Sequence, residues 1–136
     1  MNSKPVSVII PTYNRCDILF NTIVEFEKQS DLNFELLVID QSEKLHKKIT
    51  SYTSSNYSYK YINLKTIGLP NARNYGSGKA SGDVLIFIDD DSIPDKNLVA
   101  QYRELFQSLG PDVLIGGRVI EKGTDIFREG KNIVGG

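Results

Sequence analysis

Three consecutive carboxylates, Asp89-Asp90-Asp91, follow the most apolar run of the chain, residues 84–88 (VLIFI). Side by side they repel one another: at ~4 Å each pair costs about 1 kcal/mol in water and about 4 kcal/mol at an effective dielectric of about 20. A cation offsets that cost, and oxygen donors at this density suit the hard divalent ions Mg²⁺ and Mn²⁺. Such an ion can bridge to a diphosphate and neutralise it as it leaves. If the extended backbone persists through the triplet, Asp89 and Asp91 point to one side and Asp90 to the other. The bland alternative is a solvated acidic turn that favours the N-terminus of the next helix electrostatically. The triplet's place, directly after an apolar strand, argues for the ligand role.

Other polar groups follow other apolar runs. Pro11-Thr12-Tyr13-Asn14-Arg15 succeeds residues 6–10 (VSVII). Its hydroxyl, amide, guanidinium and backbone groups are suited to a phosphate or a base, and Tyr13 to stacking; plain helix capping by Asn14, with Tyr13 as packing, competes with this. Asp40 succeeds residues 34–39 (FELLVI). It is either an acceptor for a nucleobase or ribose, or a turn residue before Gln41-Ser42. Arg73, within residues 68–76 (GLPNARNYG), has the fork to clamp a phosphate or base edge, or forms a surface ion pair.

These groups can act together only if the elements carrying them converge. The runs at 6–10, 34–39, 59–64 (YKYINL) and 84–88 have the length and apolarity of strands covered on both faces, as in a parallel sheet. Residues 113–115 and 119–120 suggest a fifth strand, broken by Gly116-Gly117. Helical segments lie between. Ile18, Leu19, Thr22, Ile23 and Phe26 share one helical face, with Asn14 or Asp17 as the cap. Residues 44–54 form a weaker helical pattern. Pro70 suits a first helical position, and Asp95 suits the cap of a helix starting near Lys96. The apolar stripe of that helix, Leu98, Val99, Tyr102, Leu105, Phe106 and Leu109, is stopped by Gly110-Pro111. Strand and helix alternate, which predicts an α/β fold: a doubly wound, mostly parallel sheet with helices on both faces. Such sheets bind ligands at the carboxyl ends of their strands, where strand order reverses, and the candidates stand at such ends. Residues 1–120 read as this domain, and residues 121–136 as a Gly-rich, polar tail leading toward further protein.

Composition narrows the function. The 136 residues fit one domain with a real core, 40% hydrophobic and 24% charged. A net charge of −1 argues against nucleic-acid binding driven by bulk electrostatics. The lone Cys16 excludes an intrachain disulfide and points away from an oxidising compartment. No apolar run approaches the roughly 18 residues of a membrane span. The expectation is a cytoplasmic protein, at most peripheral to the inner face of a membrane. A GxxxxGK[ST] loop and a strand-linked GxGxxG are both missing. Pro94 and Ala100 stand where an EF-hand starting at Asp89 needs glycine and glutamate. His46 is the sole histidine, which argues against a His-rich metal site or a Ser-His-Asp triad.

Taken together, residues 6–15 (VSVIIPTYNR), Asp40, residues 68–76 (GLPNARNYG) and residues 82–95 (GDVLIFIDDDSIPD) resemble family 2 glycosyltransferases of the GT-A fold. The resemblance runs from about Val6 to Ile120, and its specificity lies in four motifs arriving in the family's order. It implies a nucleotide-diphosphate-sugar donor, often a UDP-sugar, a divalent metal, and inverting transfer by direct displacement to an acceptor hydroxyl on a glycan or lipid-linked sugar. It also implies that Pro11, Thr12 and Tyr13 border base and ribose, that Asp40 binds the base, and that Arg15 and Arg73 lie near the nucleotide. Asp90 would sit by the ribose, Asp91 would ligate the metal directly, and Asp89 would support it. The family's general base and acceptor region lie in a second half. No residue here stands out as the base; Glu121, Asp125 and Glu129 carry no distinguishing feature.

Two readings therefore remain: the donor domain of a transferase, and a non-catalytic nucleotide-binding module of the same fold. A phospho-acceptor receiver would need an acid pair where Pro11-Thr12 stands, and a nucleotidyltransferase would need a Gly-rich loop there.

Overall fold

A computed structural model of the chain describes residues 5–109, 113–116 and 132–135, with side chains for residues 5–108. Four strands form the main sheet: β1 (Val6–Thr12), β2 (Phe34–Asp40), β3 (Ser58–Asn63) and β4 (Val84–Phe87). Their order is β3-β2-β1-β4, and every neighbouring pair is parallel. β1 and β2 lie at the centre and are buried along their whole lengths. That is why their sequences are continuous apolar runs, whereas the edge strand β3 alternates at its start.

The pleat divides β1 between two layers. Val6, Val8 and Ile10 face Leu19 and Ile23 of α1 (Cys16–Glu25), Phe26 of the 3₁₀ turn that follows, and Val99 of α4 (Leu98–Leu109). Ile9 faces the other way, with Leu37, Ile39 and Ala72 of α3 (Leu69–Lys79). Helices thus cover both faces, as the alternation predicts. Complete burial of Ile9 and Ile10 stabilises the fold by about 2 kcal/mol for each side chain. α3 lies very close to the sheet: a Cβ on Gly76 would stand 2.6 Å from Ile9 Cγ2.

The chain runs from β1 outward to β2 and β3, then returns to β4 on the far side of β1. Strand order reverses between β1 and β4, and the crevice at their carboxyl ends is the place where such sheets hold ligands.

Several details differ from the sequence expectation. The weak helix at 44–54 shortens to α2 (Lys47–Thr50), because Ile49 is its one buried residue and Leu45 is exposed, so no apolar face extends it. The cap of α1 is neither Asn14 nor Asp17 but Arg15, with no side-chain capping bond. Asn14 instead takes a left-handed conformation (φ 56°), which asparagine tolerates better than most residues. The fifth strand, β5 (Val113–Gly116), does not join the parallel sheet. It pairs antiparallel with β6 (Asn132–Gly135), within the stretch read as a tail. Residues 119–120 and 121–131 lie outside the described residues. Among the described residues, no helix is long and apolar enough to cross a membrane.

Candidate functional site

β4 ends at Phe87, and the acid triplet forms a turn immediately beyond it, closed by a bond from the Ser92 N–H to the Asp89 carbonyl (3.2 Å). The extended backbone does not persist through the triplet, yet the turn still separates the three carboxylates: Asp90 is buried, and Asp89 and Asp91 are exposed. Anchors from the α1 layer fix it. The Thr22 hydroxyl lies 2.8 Å from both the Asp90 and the Ser92 carbonyl oxygens. Gln29 accepts from the Val99 N–H (3.1 Å) and donates to the Asp95 carbonyl (2.6 Å), tying the start of α4 to the same layer. Asp95 accepts from the Asn97 N–H (2.9 Å) and so acts in the turn before α4.

The end of β1 supplies the partners of the acids. The Thr12 hydroxyl donates to Asp90 Oδ2 (2.8 Å). Arg15 lies with Nε 3.5 Å from Asp90 Oδ1 and a terminal nitrogen 3.2 Å from Asp91 Oδ2. Burial pushes the Asp90 carboxyl above its ordinary value, the Thr12 hydroxyl and the Arg15 guanidinium oppose the rise, and the Asp91 and Asp89 charges add to it. This is a carboxylate short of compensating charge.

Oxygen donors of this kind fit a hard divalent cation. Arg15 already stands as a positive charge between Asp90 and Asp91. Among the described residues, no group of three or more acidic, histidine or cysteine side chains forms a ready cage.

The triplet opens onto a cleft of about 430 Å³. Its lining joins Pro11, Thr12, Tyr13 and Arg15 to all three aspartates, so most of the residues singled out in the sequence converge. The lining also contains Gln41, Ile67, Gly68 and Leu69. Tyr13, Ile67 and Leu69 are large apolar side chains left exposed, and all three line this cleft. Gln41 donates from Nε2 to the Thr66 (2.6 Å) and Gly68 (2.9 Å) carbonyls, fixing the loop that carries Ile67. Two carbonyl acceptors on one nitrogen also fix which way the amide faces.

Asp40 and Arg73 stand outside that lining. Asp40 is buried at the end of β2; its Oδ1 accepts from the Ser42 N–H (3.0 Å) and its Oδ2 from the Tyr61 hydroxyl (2.6 Å). This is the turn geometry that competes with a base-binding role. Arg73 is exposed on α3. Burial pushes the Cys16 thiol up, away from the thiolate that a nucleophile needs. Glu121, Asp125 and Glu129 lie outside the described residues.

Comparison with known proteins converges on one family. A family model described as Glycosyl transferase family 2 matches residues 7–132. The chain is 32% identical over 114 residues to the amylovoran biosynthesis glycosyltransferase AmsB of Erwinia amylovora, covering 80% of this chain and 38% of AmsB. It is 34% identical over 94 residues to an uncharacterised glycosyltransferase of Rickettsia conorii, 68% of this chain and 16% of that protein. The chain therefore spans well under half the length of these relatives. Among solved structures, a fragment of S. aureus TarS in complex with UDP superposes with a TM-score of 0.74 at 25% identity, covering 90% of this chain and 38% of that one. The mannosyltransferase PcManGT of Pyrobaculum calidifontis, in complex with GDP-Man and Mn²⁺, shares the fold with a TM-score of 0.70 at 18% identity, over 89% and 37% of the two chains.

Proposed function

The chain belongs to glycosyl transferase family 2, and from that premise we propose that it is the donor-binding portion of an enzyme that moves a sugar from a nucleoside diphosphate to an acceptor hydroxyl. The observation that carries this reading is the acid turn at the carboxyl end of β4, opening onto a cleft whose lining also holds Tyr13, Ile67 and Leu69. Acids with a cation suit the diphosphate, and an exposed aromatic and two aliphatic side chains suit a base. TarS with UDP and PcManGT with GDP-Man and Mn²⁺ support a nucleotide and a divalent cation here.

In this reading Asp91, aided by Asp89, would hold a divalent cation, which when bound would neutralise the departing diphosphate. Thr12 fixes the orientation of Asp90 toward the ribose. Tyr13 stacks on the base, with Pro11 beside it. Gln41 has both amide protons committed to Thr66 and Gly68, so its Oε1 is the acceptor offered to a base N–H. Asp40 acts through the turn that presents Gln41, and Arg73 acts from the rim when the donor is bound. The acceptor hydroxyl attacks the anomeric carbon opposite the diphosphate, the bond to the diphosphate breaks, and the configuration inverts. No described residue is assigned as the base that takes the hydroxyl proton.

A donor-binding module without transfer is the second reading. Thermal unfolding with UDP, GDP or TDP, each with and without Mn²⁺, tests the donor site. A ligand at a hundred times its dissociation constant adds about 2.7 kcal/mol of stability. A rise in Tm with one nucleotide that needs Mn²⁺ is expected; no rise with any of them contradicts the proposal. Release of diphosphate from the matching sugar nucleotide then separates the two readings.

A further inference from the structure

Resting on the reading of the acid turn as the cation and diphosphate site, we propose that Arg15 is a positioning residue that serves as the turn's resident counter-cation. Its guanidinium holds the place between Asp90 and Asp91 until a divalent cation arrives, then turns to the diphosphate that the cation brings.

The geometry carries this. The guanidinium touches one buried and one exposed carboxylate, at 3.5 Å from Asp90 Oδ1 and 3.2 Å from Asp91 Oδ2. It supplies one positive charge against the three negative charges of residues 89–91, so it stabilises the turn without neutralising it. A divalent ion on Asp91 competes with the monovalent fork for the same carboxylate, and two cations so close repel each other.

The backbone beneath Arg15 cannot follow its side chain. The Asn14 N–H donates to Ser42 Oγ (2.6 Å), and the Arg15 carbonyl accepts from the Leu19 N–H in the first turn of α1 (2.9 Å). The side chain is 42% exposed and lines the cleft. Displacement therefore costs a rotamer change within the cleft, not a movement of the fold. A freed guanidinium there has the planar fork that holds phosphate oxygens bidentately.

The consequence is a pair of effects with opposite signs. With no nucleotide present, Arg15→Gln removes the competitor and tightens Mn²⁺, by about three- to tenfold for a partly exposed pair. With Mn²⁺ saturating, the same substitution removes a phosphate contact and weakens UDP by about tenfold. Arg15→Lys keeps the charge and loses the fork, so it falls between on both measures.

The experiment is a Mn²⁺ titration of the unaltered protein, Arg15→Gln and Arg15→Lys, read by the electron-spin-resonance signal of free Mn²⁺. Calorimetric titration of UDP at saturating Mn²⁺ follows. Tighter Mn²⁺ with weaker UDP in Arg15→Gln is the expected result. Mn²⁺ affinity that is unchanged or weaker in Arg15→Gln overturns the role of Arg15 while leaving the acid turn as the metal site. Absence of Mn²⁺ binding in all three proteins, with or without UDP, overturns both. A merely structural Arg15 would weaken the two ligands together.

Discussion

Of the buried carboxylates at the sheet, two at opposite ends, Glu35 and Asp90, are treated in opposite ways. Glu35 lies toward the amino ends of the strands, paired in register with Ser7. Asp90 lies beyond the carboxyl end of β4. Each is 7% exposed. Burial alone would raise Glu35, but the Ser7 hydroxyl, the Ser81 N–H (2.7 Å) and Lys60 (3.0 Å from Oε1) outweigh it and pull the carboxyl from 4.5 down to about 2. Even the backbone is arranged for this network. The Gly82 N–H donates to Ser7 Oγ (2.8 Å), and a Cβ at Gly82 would stand 2.6 Å from that oxygen. Burial raises Asp90, the Thr12 hydroxyl and the Arg15 guanidinium offset that only in part, and the charges of Asp91 and Asp89 add to it, so it moves upward. Ser92 Oγ, one residue past the triplet, is buried without a hydrogen-bond partner among the described residues. The difference teaches how to tell the two kinds of acid apart. A carboxylate supplied with every donor it can take holds the fold together and has little to offer a ligand. One left short of donors and charge holds binding free energy in reserve.

Substitutions should break this contrast in a definite order. Asp91→Asn is expected to lower Mn²⁺-dependent UDP affinity by more than about a hundredfold, roughly 2.7 kcal/mol. Its Tm should barely move, since the side chain is 56% exposed. Calorimetry and a melting curve on the same sample check both halves. Glu35→Ala should do the reverse. It strands the Ser7 hydroxyl and the Ser81 N–H without their acceptor, leaves Lys60 without its partner, and costs about 2–3 kcal/mol of stability in urea unfolding, with nucleotide affinity unchanged.

Acid titration sharpens the same point. The folded-state pKa of Glu35 lies below its ordinary value, so its contribution to stability is complete above pH 4.5 and disappears as pH falls toward about 2. Unfolding free energy measured from pH 5 to pH 2 should fall more steeply in the unaltered protein than in Glu35→Gln, which has no carboxyl to protonate. At the other end of the sheet, Asp90→Asn keeps an acceptor for the Thr12 hydroxyl and removes a poorly compensated buried charge. Its unfolding free energy should stay level or rise, by less than about 1 kcal/mol, while nucleotide binding falls. A large loss of stability would make Asp90 a second Glu35 and erase the contrast. Arg73→Ala, outside the cleft lining, should weaken UDP by no more than about threefold, a rim contact worth under 1 kcal/mol.

Much of this was legible in the chain itself. The runs at 6–10 and 34–39 announce central parallel strands because burial on both faces removes alternation, whereas the run at 84–88 forms β4 at the edge of the described sheet, where Phe87 is left exposed. The acid triplet, Thr12, Tyr13 and Arg15 follow such runs directly, so topology alone brings them to one crevice. Gln41 was not singled out. The signal lay one residue away at Asp40, but Asp40 is turned into the Ser42–Tyr61 network and its neighbour lines the cleft. In an extended segment, one residue is the difference between opposite sides. Ile67 lies in the loop before α3 and Leu69 at its first position, where no period betrays a role; two apolar residues flanking Gly68 were the only hint. The pairing of β5 with β6 is a long-range match between short segments, and no local pattern encodes it.

The central claim is that the acid turn is a cation-dependent diphosphate site. Titration of UDP into the protein by calorimetry, first with Mn²⁺ and then with EDTA, tests it most directly. Binding that appears with Mn²⁺, vanishes with EDTA and is lost in Asp91→Asn is the predicted result. UDP binding of equal strength in EDTA and in Asp91→Asn would contradict it.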